Sequence, residues 1–88
     1  MPRRVVLAPG AQRQLRRLPR EIVGRTLPAI RALAEEPRPS GVEKLQRSRY
    51  EDVYRIRVGD YRVLYQINDE SEVVTVVSVA HRRDAYRR

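Results

Sequence analysis

Val53-Tyr54-Arg55-Ile56-Arg57-Val58-Gly59-Asp60-Tyr61-Arg62-Val63-Leu64-Tyr65-Gln66-Ile67-Asn68 is the stretch whose reading decides the fold. Successive side chains of a strand point to opposite faces, so alternation of apolar and polar residues marks a half-buried strand. From Val53 to Val58, Tyr54, Ile56 and Val58 share one face, and Val53, Arg55 and Arg57 share the other. Gly59-Asp60 is a compact turn, since glycine and aspartate tolerate the backbone angles a tight reversal needs. The chain then returns, with Tyr61, Val63, Tyr65 and Ile67 on one face and Arg62 on the opposite one. Two arginines on one strand are thus followed, just across a turn, by a third on its partner.

Outward from this hairpin, Asp69 to Glu72 is a polar turn and Val73 to Val79 a nearly continuous β-branched run. Such a run reads as a central strand covered on both faces. Toward the N-terminus, Glu36-Pro37-Arg38-Pro39-Ser40-Gly41 breaks the pattern and separates a helical first half from the strand-rich second half. Arg3 to Leu7 reads as a short strand ended by Pro9 and Gly10. Gly10 to Leu18 fits a helix, with Ala8, Ala11, Leu15 and Leu18 as its apolar stripe. Arg20 to Glu36 fits a second helix, buried through Ile22, Val23, Leu27, Ile30, Leu33 and Ala34. Pro28 inside it removes a backbone donor and predicts a kink or a local restart. The expected fold is a single α+β domain over residues 1–88. It has an N-terminal strand, an antiparallel helical hairpin, and a three-stranded antiparallel meander, making a four-stranded sheet.

The composition narrows the function. The chain carries 19 basic and 11 acidic residues, net +8, and Lys44 is its only lysine. A pI near 11 in one small domain is an electrostatic footprint of nucleic-acid binding. Arginine also presents a planar fork that matches phosphate and stacks on bases. With no cysteine, disulfides, zinc–thiolate centres and thiol catalysis are excluded. The one histidine, His81, cannot build a metal site alone. No apolar run approaches the ~20 residues of a membrane span and no signal peptide is visible, so a cytoplasmic protein without membrane attachment is expected.

A half-buried sheet normally keeps one wet face, and that is the bland account of Arg55, Arg57 and Arg62. A merely wet face carries mixed charges, because like charges opposed across strands repel. Here the alternating positions are specifically arginine, which favours a phosphate-directed patch. Arg82 and Tyr86 follow the last strand and can join it at one end of the sheet. Tyr50, Tyr54, Tyr61 and Tyr65 belong within or beside strands, where packing is their expected role. Tyr86 lies in a polar tail with little apolar company. Arg13, Arg16, Arg17 and Arg20 form a second basic group on the helices, readable equally as a solvated face or a surface for nucleic-acid backbone.

The stretch Tyr54 to Tyr65, with the ending Val79-Ala80-His81-Arg82-Arg83-Asp84-Ala85-Tyr86, resembles the RelE/ParE superfamily of toxins from type II toxin–antitoxin modules. The resemblance covers essentially the whole chain, and its RelE-like branch fits better. It implies a ribosome-dependent endoribonuclease that cuts mRNA in the ribosomal A site without a cofactor or metal. The family's catalytic basic pair falls on Arg55 and Arg57, its strand arginine on Arg62, its late arginine on Arg82 and its C-terminal tyrosine on Tyr86. The best-known pattern has lysines at the first two positions. Arginine keeps the charge but does not shuttle protons at ordinary pH. Beside this site, Arg83, Arg13, Arg16, Arg17 and Arg20 are expected to contact RNA backbone or the antitoxin, and His81 either to contact the RNA substrate or to help Arg82 at the leaving oxygen as an acid. The implied partners are the ribosome with its mRNA, a cognate acidic antitoxin, and operator DNA through the antitoxin complex alone. Two alternatives stand beside this reading. One is a ParE-like poison of DNA gyrase; the other is a non-catalytic nucleic-acid-binding or degenerate member.

Overall fold

Alternation at the centre of the sequence becomes a sheet with one dry and one open face. The structure, a computed structural model, describes residues 2–45 and 53–84. Its elements run β1 (Arg4–Leu7), α1 (Pro9–Arg17), α2 (Arg20–Ala32), β2 (Glu43–Leu45), β3 (Val53–Val58), β4 (Tyr61–Asn68) and β5 (Val73–His81). The sheet order is β1-β5-β4-β3-β2, with β1 parallel to β5 and the other pairs antiparallel. The α+β class and the β3–β4–β5 meander are as expected. The expected four-stranded sheet has a fifth strand, β2. Three residues, two of them charged, carry no alternation long enough to announce it.

Both helices pack on one face: α1 lies against β5 and β1, and α2 against β3. That face supplies the core, in which Val63, Tyr65, Val74, Val76 and Val79 are buried with Ala11, Ile30 and Leu33. Tyr54 and Tyr65 stack at 5.8 Å between ring centroids. The Tyr65 hydroxyl donates to the Pro37 carbonyl at 2.7 Å, and burial pushes its pKa up to about 12. Thr26 is fully buried on α2, a position the apolar stripe did not include. α2 ends at Ala32 rather than Glu36 and runs through Pro28 without a restart.

The Val73–Val79 run is interior to the sheet, but it is not covered on both faces. Only Val74, Val76 and Val79 are fully buried. The register shifts between Leu64 and Tyr65: Leu64 pairs Ser78, whereas Tyr65 pairs Val76. Val77 is therefore the extra residue of a β-bulge. The buried positions are even-numbered before it and odd-numbered after it. The valine-rich run is what a shift of parity looks like in sequence. The freed geometry is anchored from α1, where the Gln14 side-chain oxygen accepts the Val79 N–H at 2.7 Å.

A polar clamp closes the other end of the molecule. Arg38 donates to the Tyr54 hydroxyl at 3.2 Å and to Asp69 at 3.0 Å, and Arg3 reaches the same carboxylate at 3.3 Å. The hydrogen bond from Arg38, above all, holds the Asp69 carboxyl below its ordinary pKa.

Candidate functional site

Residues paired directly across a ladder share a face of the sheet. Arg57 pairs Arg62, and Arg62 pairs Ala80. Arg55 pairs Leu64 on one side and Glu43 on the other, and Leu64 pairs Ser78. Arg55, Arg57 and Arg62 therefore lie together on the face away from the helices. The Cβ atoms of Arg57 and Arg62 are ~5 Å apart, as in any directly opposed pair. Arg57 is exposed, while Arg55 and Arg62 are half-buried.

The turn beside them is tight. Gly59 has φ +60, and Asp60 does not have a positive φ. Positive φ at the first central residue alone is the pattern of a type II′ hairpin turn, which favours glycine there. A Cβ at Gly59 would also meet the Arg25 guanidinium at 3.4 Å. Arg25 thus brings a further cation to this turn from α2; one arginine on a polar helix face gave no local sign of it. Arg82 arrives at the same turn by its backbone, whose N–H donates to the Asp60 carbonyl at 2.7 Å. Its side chain is exposed.

Packing this much charge together costs free energy. Burial first, then Arg62, then Arg57, lower the pKa of Arg55. An ion pair with Glu43 opposes that penalty. Glu43 was absent from the sequence reading because its partner is set by pairing across a strand that the sequence did not reveal. The arrangement can bind a phosphate and stabilise added negative charge on it. It cannot move protons by itself, since arginine stays charged.

The remaining candidates are distributed differently. His81 pairs Tyr61 across the ladder and meets its ring edge-on at 5.2 Å, on the helix side of the sheet. Its Nδ1 accepts the Arg83 N–H at 3.2 Å. With Gln14, Arg17, Leu18 and Asp84 it lines a shallow pocket of about 260 Å³. The bulge is responsible, because it sets the parity of every later residue. Arg83 is exposed in the turn after β5, and Arg13, Arg16, Arg17 and Arg20 are exposed on and beside α1. Tyr86 and Tyr50 lie outside the described residues. Among the described residues, no three His, Asp or Glu side chains converge as a metal site would require, and no helix is long and apolar enough to cross a membrane.

Residues 5–86 match the family model described as the ParE toxin of type II toxin–antitoxin systems, parDE. Toxin RelG of Mycobacterium tuberculosis is 37% identical over 89 residues, covering the whole of both chains. The archaeal RelE–RelB complex from Pyrococcus horikoshii contains a chain that superposes with a TM-score of 0.81 at 33% identity, covering 97% of this chain and 100% of that one. A chain of the toxin–antitoxin complex RelBE2 from M. tuberculosis gives a TM-score of 0.79 at 32% identity, covering 92% and 99%.

Proposed function

The chain belongs to the RelE/ParE superfamily of type II toxin–antitoxin toxins, as a RelE-like member, and from that premise we propose that it is a ribosome-dependent endoribonuclease. The observation that carries the proposal is the convergence of Arg55, Arg57 and Arg62 on the open sheet face, with Arg82 tied to the same turn. Like charges are not opposed this closely without cost, and an RNA phosphate is the ligand that turns the cost into binding.

In the proposed reaction, the 2′-hydroxyl attacks the adjacent phosphorus and forms a new P–O bond. The P–O5′ bond breaks, leaving a 2′,3′-cyclic phosphate and a 5′-hydroxyl. Tyr86 accepts the 2′-hydroxyl proton; the arginines that bind the same phosphate would favour the phenolate that this requires. Arg55, Arg57 and Arg62 stabilise the charge developing on the phosphate oxygens. Arg82 contacts the departing O5′ and stabilises its charge, and water supplies the proton that makes it a 5′-hydroxyl. Since arginines cannot themselves take up the proton, productive geometry must be imposed on the substrate, and mRNA held on the ribosome meets that need.

His81 is assigned no proton transfer here, because it lies across the sheet from the arginines. The exposed arginines Arg13, Arg16, Arg17, Arg20 and Arg83 serve as contacts to RNA backbone or to the antitoxin. The expected antitoxin is an acidic segment that covers this basic surface, and operator DNA is bound through that complex. The solved relatives include toxin–antitoxin complexes, which supports this partner. The cytoplasm, where ribosomes and mRNA meet, is the corresponding compartment.

The test is cleavage of mRNA on programmed ribosomes with 5′ ends mapped. Codon-phased cuts that disappear in Tyr86→Phe and Arg82→Ala are expected. Undiminished cutting by Tyr86→Phe would remove the tyrosine from the base role. The ParE description of the matching family model favours a second reading, a DNA gyrase poison. It predicts gyrase-dependent DNA breaks and uncut mRNA.

A further inference from the structure

The described ladder positions of the open face carry one carboxylate, and it stands beside the arginines. Residues 43 and 45 of β2 face the same way as Val53, Arg55 and Arg57 of β3. On the rest of that face the ladders place Arg4 and Val6, then Val73, Thr75, Ser78 and Ala80, then Arg62, Leu64, Gln66 and Asn68. Glu43 alone among them is acidic, and it is paired with Arg55.

We infer that Glu43 is a positioning residue, whose carboxylate holds the Arg55 guanidinium in place to receive the substrate phosphate. The inference rests on the nuclease reading for its catalytic consequence. The pairing itself stands on two observations, the backbone register Glu43↔Arg55 and the ion pair between their side chains. The Arg55 side chain is 13% exposed and that of Glu43 is 49% exposed. The arginine is therefore pressed into the sheet surface while its partner faces solvent from the edge.

Arg55 needs such a partner. It stands beside two other guanidinium groups, those of Arg62 and Arg57, and burial and those charges together oppose its own. A long side chain under that repulsion lowers its energy by swinging toward water, which would take its donors away from the phosphate. A fixed carboxylate on the neighbouring strand removes the incentive. The ion pair with Glu43 is made through one nitrogen, Nη2, of a guanidinium that carries five N–H donors. Misplacement of a catalytic group by about 1 Å is enough to cost on the order of a hundredfold in rate.

Two measurements on the purified chain test this. In the ribosome cleavage assay, Glu43→Gln is expected to lower kcat about tenfold or more, with KM changed less than about twofold. In an Arg55→Ala background the same substitution should have no further effect, because there is nothing left to position. Independently of RNA, the Arg55 Nε–Hε NMR resonance should be slow to exchange with water in the parent protein and at least tenfold faster in Glu43→Gln. Unchanged exchange, an undiminished kcat, or an equal loss of rate in the Arg55→Ala background would each overturn the inference. The last would mean that the carboxylate acts by itself. Parent protein that cuts no mRNA would defeat the nuclease reading, while the exchange measurement would still decide the pairing. Equal melting temperatures of parent and Glu43→Gln, or of the more severe Glu43→Ala, separate positioning from damage to the sheet.

Discussion

At Arg57 and Arg62 the proposed function and stability oppose one another at single residues. They are directly paired across the β3–β4 ladder, and opposed like charges destabilise a sheet by a few tenths of a kcal/mol, up to about 1. Truncating either is expected to leave the melting temperature unchanged or slightly higher. Cleavage should nevertheless fall about a hundredfold to a thousandfold, the usual loss when one donor to a developing anion is removed. Ribosome cleavage kinetics and calorimetry on Arg57→Ala and Arg62→Ala check both halves. A fall in melting temperature of several degrees would show that these arginines are chiefly structural. Alternation made the shared face of Arg55 and Arg57 legible in sequence. Glu43 was not legible, because its role depends on which strand becomes its neighbour.

Among the elements, β5 is anchored by an interaction made outside its own ladders. Its bulge at Val77 redirects the strand, and Gln14 of α1 receives the Val79 N–H. Gln14→Ala leaves that half-buried donor without its acceptor, which should cost about 1–3 kcal/mol in denaturant unfolding. A second joint ties the segment after α2 to the β4–β5 turn through Arg38 and Asp69. Asp69 has a folded-state pKa below its unfolded value. Its contribution is therefore fully present above the unfolded pKa of ~4 and is lost as pH falls through the folded value. Asp69→Asn should lower the melting temperature at neutral pH, where the ionised carboxylate contributes, and flatten the acid limb, so that parent and variant converge as pH falls below about 4. Melting curves recorded from pH 2 to 7 check this; an acid limb identical to that of the parent would place the acid sensitivity elsewhere.

For the whole molecule, two basic surfaces sit on different sides of one small body. The arginine face of β3 and β4 is open, and the helices cover the other face while exposing Arg13, Arg16, Arg17 and Arg20. With a net charge of +8, ribosome binding should weaken linearly in log Kd against log salt, as counterions are released. Replacing the four helix arginines by glutamine should reduce the slope by about 0.7 for each RNA phosphate they neutralise. The positions of the cuts should not change, because those residues lie on the helix side, away from the arginine face proposed to hold the reacting phosphate. A salt series of ribosome binding with mapped 5′ ends tests this. A shift of cut positions would place the helix face at the mRNA itself.

By itself, the sequence determined what local rules control. Alternation and Gly59-Asp60 specified the hairpin, its buried tyrosines and valines, and the common face of Arg55, Arg57 and Arg62, because strand period and turn chemistry act over a few residues. The net charge pointed to a polyanion. Tertiary structure alone decided which strands became neighbours: β1 joined β5 in parallel, and β2 joined β3 and brought Glu43 to Arg55. It also decided the parity of β5, where one extra residue keeps Val79 in the core and sends His81 to the helix side. Such outcomes are set by long-range pairing and by filling the space beneath the helices, and residues far apart in the chain settle them together.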